Sequence, residues 1–260
     1  MTSHIRIIET LRHLVRRGSF AMIGSIALIL IVQFAVFGQG DPCASNFDAA
    51  AQKKADQLLI KTPPTDAVGY VLQGYALRRL GQYELAEKYA TKAMDLDPKY
   101  APAYYLSGEL HDHRSSWGWA ALMYSKAIAL YPDSSDLYYA RGRVRINREE
   151  FMAAISDVTK SIELDPKNAH AFYARGYAHR YQGDRERMKA DLDTAYLLVT
   201  DQLKTAPSEK CTADLLLVRA LIYDSSGDTG RSIDDLTESI KLDSTNSELF
   251  YYRGRLFAKL

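Results

Sequence analysis

The chain has 260 residues, 47% of them hydrophobic and 25% charged, with a formal net charge of +1, 15 glycines, 8 prolines and 2 cysteines. Those proportions exclude a disordered, collagen-like or disulfide-scaffold chain and predict a folded core in one or two domains. Arg6, Arg12, Arg16 and Arg17 stand against Glu9 in the first eighteen residues, so that segment is +3 and the remainder −2. A body of that charge lacks the clustered cations that neutralise phosphates, and no nucleic-acid partner is expected.

Residues 1–18 form this basic N-terminus. From Ser19 to Gly40 there is no charge, and between Phe20 and Phe37 only Ser25 and Gln33 are clearly polar. A helix of about 20 such residues spans the ~30 Å hydrocarbon core. Residues 19–38 are therefore expected as a single transmembrane anchor, with the N-terminus cytoplasmic and the body exported, because arginines precede it and Asp41 follows. A cleaved signal peptide is the competing reading, with Val36 and Gly38 before a cut at Gln39, although the apolar run exceeds the ~7 to 15 residues usual there. Gly24, Ser25 and Ala27 give the span a small-residue face suited to helix packing. Cys43 and Cys211 both fall in the exported part, where disulfides are permitted.

Residues 39–66 read as a linker and a lone helix, Asn46 to Lys61, rich in alanine and leucine. Pro64, Pro98, Pro132 and Pro166 then recur every 34 residues, and Gly74, Gly108, Gly142 and Gly176 recur at the same interval. Two ladders with one period define an internal repeat. With Ala67, Ala101, Ser135 and Ala169 at position 1, position 4 is Tyr70, Tyr104, Tyr138 and Phe172, and position 8 is the glycine. Position 20 holds Ala86, Ala120, Ala154 and Met188, and position 27 holds Ala93, Ala127, Ser161 and Ala195. Small residues there let two antiparallel helices approach closely, and the proline ends the second helix of each pair. Gly81, Gly183 and Gly227 mark the tight turn between the helices, which Ser115 replaces in the second repeat.

Period, aromatic, glycine, alanine and proline together resemble the tetratricopeptide repeat family. The resemblance covers residues 67–260, as 67–100, 101–134, 135–168, 169–212, 213–246 and a C-terminal capping helix at 247–260. It implies an all-α, right-handed superhelical solenoid of about five helix pairs with a concave binding face, preceded here by the anchor. Asn46 to Lys61 looks like the second half of a degenerate repeat. The fourth unit carries ten extra residues, and the apolar series Met188, Leu192, Ala195, Val199, Leu203 predicts that its second helix overruns by two turns or more before Pro207. The capping helix is expected to cover repeat five and turn Arg255 and Lys259 to water. A solenoid separates distant repeats, so Cys43 and Cys211 are not expected to pair.

No Walker loop, G-x-S-x-G, H-E-x-x-H or cysteine pair at metal spacing is present, so the chain reads as a non-enzyme with no cofactor, metal or small-molecule substrate. His111 and His113 point apart on a helix and are expected to be solvated. Arginine recurs at position 7. Where position 23 of one repeat is Asp157, Asp191 or Asp235, position 7 of the next is Arg175, Arg219 or Arg253, which suggests inter-repeat ion pairs; Arg141, opposite Met123, does not fit.

The resemblance further implies a concave groove lined by positions 2, 5, 9 and 12, of which 5, 9 and 12 here include Tyr75, Arg78, Tyr105, Glu109, Tyr139, Arg143, Tyr173, Tyr177 and Arg180. Tyrosine and arginine dominate binding hot spots, although tyrosine at position 5 is also family consensus. Position 5 has no lysine and position 9 no asparagine, so the carboxylate clamp of chaperone-binding members is unmatched. Trp117 is expected in the core and Trp119 outside it, as a possible surface contact. The expected function is a membrane-anchored scaffold whose groove holds a protein or extended peptide; the alternative is a constitutive subunit or assembly factor of a larger membrane complex.

Overall fold

The computed structural model describes residues 49–61 and 63–260. The expected anchor, its possible cleavage and Cys43 lie outside the described residues. Among the described residues there are α-helices and no strands, and no helix is long and apolar enough to cross a membrane.

The helices are α1 (Ala49–Leu59), α2 (Ala67–Arg79), α3 (Tyr83–Leu96), α4 (Ala101–His113), α5 (Trp117–Leu130), α6 (Ser135–Asn147), α7 (Phe151–Leu164), α8 (Ala169–Tyr181), α9 (Arg185–Leu203), α10 (Glu209–Ser225), α11 (Thr229–Leu242) and α12 (Ser247–Phe257). Five consecutive pairs run from α2/α3 to α10/α11, with α1 packed before the first and α12 after the last. In the first four pairs the first helix has 13 residues, and in the fifth it has 17. Ala86, Ala120 and Ala154 at position 20, and Ala93, Ala127, Ser161 and Ala195 at position 27, are fully buried where the helices meet. Gly108 shows why position 8 is glycine: a Cβ there would lie 2.5 Å from the buried Tyr124 ring.

The turns explain themselves residue by residue. Gly81, Gly183 and Gly227 have φ of 77°, 77° and 83°, a left-handed conformation that costs glycine nothing. Ser115 and Glu149 adopt the same conformation, with φ of 56° and 61°, in the two turns without glycine. Asp66, Ser134, Asn168, Ser208 and Asn246 cap the first helices by accepting an amide bond from the opening turn.

Two expectations are corrected at the insertion. The other second helices end at position 30, whereas α9 runs five residues past the equivalent Leu198, about one and a half turns rather than two. The rest of the insertion lengthens α10, which starts four residues before Ala213 because Ser208 caps it through the Cys211 amide at 3.2 Å. Cys211 is fully buried among Leu192, Val199 and Leu215 and is disulfide-bonded, against the expectation that it has no cystine partner.

Candidate functional site

Three of the four position-7 arginines are paired with an aspartate, but not as their spacing suggested, and Arg253 does not reach Asp235, which Arg219 holds. Arg175 donates to Asp191 at 2.9 and 2.7 Å, Arg219 to Asp235 at 2.7 and 2.7 Å, and Arg141 to Asp157 at 2.8 and 2.7 Å. Each pair joins the two helices of one repeat, sixteen residues apart, instead of joining consecutive repeats. The antiparallel turn sets position 7 directly against position 23, so a carboxylate there is within reach of the fork, and Arg141 is no exception. What crosses to the preceding repeat is the remaining N–H: Arg141 donates to Ser125 Oγ at 3.0 Å, Arg175 to Thr159 Oγ1 at 3.3 Å and Arg253 to Thr237 Oγ1 at 3.5 Å. Asp157 also accepts from Arg145 at 2.7 Å.

Ion pairs that do join consecutive repeats include Arg114 with Glu87 at 3.2 Å and a recurring set between position 12 of one repeat and position 9 of the next. Arg78 lies 3.7 Å from Glu109, Asp112 2.6 Å from Arg143, and Asp224 2.7 Å from Arg255. All are partly exposed and worth about 0 to 1 kcal/mol each, so they set register more than stability. The ladder has two missing rungs, where Ile146 precedes Tyr177 and where Arg180 precedes Leu221. Among the described residues no carboxylate is paired with Arg180, and it is exposed.

Around that gap the first helices present an aromatic surface. The Tyr177 ring lies 6.2 Å from Tyr173 and 5.0 Å from Tyr181, whose hydroxyl is 3.1 Å from that of Tyr177. Tyr181 stacks on Phe151 at 4.8 Å and is 56% exposed. Tyr139 sits 6.3 Å from His170, which is itself 2.8 Å from Asp214. Burial, then the Tyr181 hydroxyl, pushes the Tyr177 phenol up to about 12. Burial also raises Tyr139, which feels Arg143, Asp214 and Glu248, while Arg143 feels Glu248 in turn.

Not every residue assigned to the groove reaches it. Tyr75 is 1% exposed, and Tyr105 is buried against Tyr124 at 5.7 Å, so both are core rather than contact surface. Arg78 and Glu109 are half-buried and held together, and burial raises the Glu109 carboxyl despite the arginine beside it. Arg143 is accessible but already bonded to Asp112. Trp119 is 59% exposed and stacks on His111, while Trp117 is half-buried rather than core. The two histidines are not simply solvated: His111 lies 3.4 Å from Glu87, and His113 stacks on Tyr83. Tyr181 was missed because position 13 is not among the groove positions of the family pattern. An open cleft of about 720 Å³ lies apart from this face, between α9, α10 and the turn at Gly227.

Family models described as tetratricopeptide repeat match residues 67–100, 123–156 and 213–246. No curated protein matches the chain. Among solved structures, a thermophilic TPR protein of Thermus thermophilus is 16% identical with a TM-score of 0.58, covering 74% of this chain and 99% of that one. The MamA 41-end structure from Desulfovibrio magneticus is 20% identical with a TM-score of 0.53, covering 68% and 95%. The Cut9-Hcn1 structure of the APC/C is 16% identical with a TM-score of 0.66; it covers 93% of this chain, which spans 51% of that one. Repeat period, paired helices and matched models agree, and the chain is a tetratricopeptide-repeat solenoid.

Proposed function

We propose that this chain is a membrane-anchored scaffold that captures an extended acidic segment of a partner protein on the inner face of repeats three and four. One observation carries the reading: the inter-repeat ion ladder lapses at Arg180, which is exposed three residues along α8 from Tyr177, whose ring neighbours are Tyr173 and Tyr181. A carboxylate can take the fork of Arg180, and apolar side chains can lie on the tyrosine rings, the combination typical of hot spots. Residues 19–38 supply the anchor, and a disulfide at Cys211 suits an oxidising compartment on the exported side. The reading needs no catalysis and no cofactor. A second reading, a permanent subunit of a membrane complex, is favoured by the apolar residues that α12 leaves exposed.

The test is mild-detergent purification of the full chain beside Arg180→Glu. A partner retained by the parent should be lost roughly thirtyfold, the equivalent of about 2 kcal/mol, with melting unchanged. Undiminished retention would remove this face as the site. Stoichiometric retention through every step marks the subunit, and exchangeable retention marks the scaffold.

A further inference from the structure

The open cleft of about 720 Å³ at the junction of repeats four and five is walled by α9, α10 and the first turn of α11. The buried Leu192 and Ile222 form its apolar part, and the rings of Tyr196 and Tyr223 line it 5.9 Å apart. The same junction departs from others in its charges. At three of them position 25 is Ser125, Thr159 or Thr237, each accepting an N–H from the position-7 arginine of the next unit. In repeat four that position is Asp193, and Arg219 gives its bonds to Asp235 instead. Asp193 is exposed, lines the cleft and, among the described residues, pairs with nothing.

The opposite wall shows what such a carboxylate takes. Arg231 lies over the Tyr223 ring at 4.6 Å and donates to Asp228. Tyr196 and Asp193, three residues apart on one face of α9, offer the same ring and carboxylate, and among the described residues no cation joins them. Arg219 and Arg231 are each neutralised by an aspartate of their own, so the charge left over here is that of Asp193.

We propose that this cleft receives an arginine side chain carried on an exposed loop of another protein. The guanidinium stacks on Tyr196 and donates to Asp193, while its methylene stem lies against Leu192 and Ile222. Arginine suits the site better than lysine because its planar, weakly hydrated head can stack and bond at once. The space exceeds one side chain and is open to solvent, which admits the flanking backbone and makes a protein the source rather than a free guanidino compound. The cleft is separate from Arg180, and its test does not depend on capture there.

The test follows the methyl resonances of Leu192 and Ile222 in the full chain, held in detergent, on titration with the blocked tripeptide acetyl-Gly-Arg-Gly-amide. A saturable shift is expected, with affinity at least tenfold weaker when lysine or the neutral isostere citrulline replaces the arginine, and at least tenfold weaker with Asp193→Asn. Because Asp193 bonds nothing, Asp193→Asn should match the parent in circular dichroism and melting. No saturable shift, equal affinity for citrulline, or affinity indifferent to Asp193→Asn overturns the proposal. Agmatine, the same guanidinium and stem without a backbone, would overturn the protein source by binding tenfold more tightly than the tripeptide. Concentration-dependent dimers of the parent that Asp193→Asn abolishes would overturn it by making a second copy the occupant.

Discussion

Asp157 gives the sharpest test of how consecutive helices are joined. It is 4% exposed and accepts three charge-assisted bonds, two from Arg141 and one from Arg145, whose side chains are 16% and 25% exposed. Asp157→Ala leaves two poorly solvated guanidinium groups facing each other. Removing one partner of a buried pair costs about 3 to 5 kcal/mol, and the arginines' residual exposure puts this site near the lower figure. For a body of this size a loss of ~3 kcal/mol corresponds to ~6 to 12 °C in melting. Urea unfolding followed by far-ultraviolet circular dichroism on two double-mutant cycles separates the geometries. Arg141 with Asp157, both changed to alanine, should show a coupling of roughly 2 kcal/mol, while Asp157 with Arg175 should add within about 0.5 kcal/mol. Strong coupling of Asp157 to Arg175 and none to Arg141 would refute the intra-repeat pairing.

Gly108→Ala forces a methyl against the Tyr124 ring and should cost about 1 to 2 kcal/mol in the same assay, whereas Gly254→Ala meets open space and should gain up to ~1 kcal/mol from helix propensity. His179 is buried 3.9 Å from Asp191, and burial lowers its pKa. The fold favours neutral imidazole, so its contribution is complete above the unfolded value near 6.5 and is lost as pH falls through the lower folded value. Urea midpoints should therefore fall on acidification from about pH 7 to about pH 5 by more in the parent than in His179→Asn, and equal falls would contradict this. Asp224→Asn releases both Arg255 and Lys259 and should loosen α12, seen as faster amide exchange in that helix with little change in repeats one to three.

Helix pairing was legible because it rests on positions that recur with identical demands: a glycine where a ring crosses, alanines where backbones meet, a proline where a helix stops. The pairing of charges was less so. Aspartate at position 23 correlates with arginine at position 7 of the next unit, but it correlates without exception with position 7 of its own, since Gln73 faces Tyr89 and Ser107 faces Met123 where neither charge is present. The neighbouring-unit reading left Arg141 unexplained, and that residue carried the signal. The ladder at positions 12 and 9 was equally visible as opposite charges 31 residues apart, and seeing it required asking which first helices touch. Burial of Tyr75 and Tyr105 was not readable from spacing, because it depends on how tightly neighbouring first helices close over a face. The exposure of Arg255 and Lys259 was legible from their charge, but their shared partner Asp224 was not, because it lies on the neighbouring repeat.

The central claim is that the inner face of repeat four receives the partner. A photo-activatable phenylalanine analogue placed at position 177 of the full chain expressed in its host cells, compared with one at the outward Leu85, tests it most directly. The account predicts one protein cross-linked from position 177, none from position 85, and loss of the product when Arg180→Glu is added. Cross-linking of the same protein from position 85 but not from position 177 would contradict it.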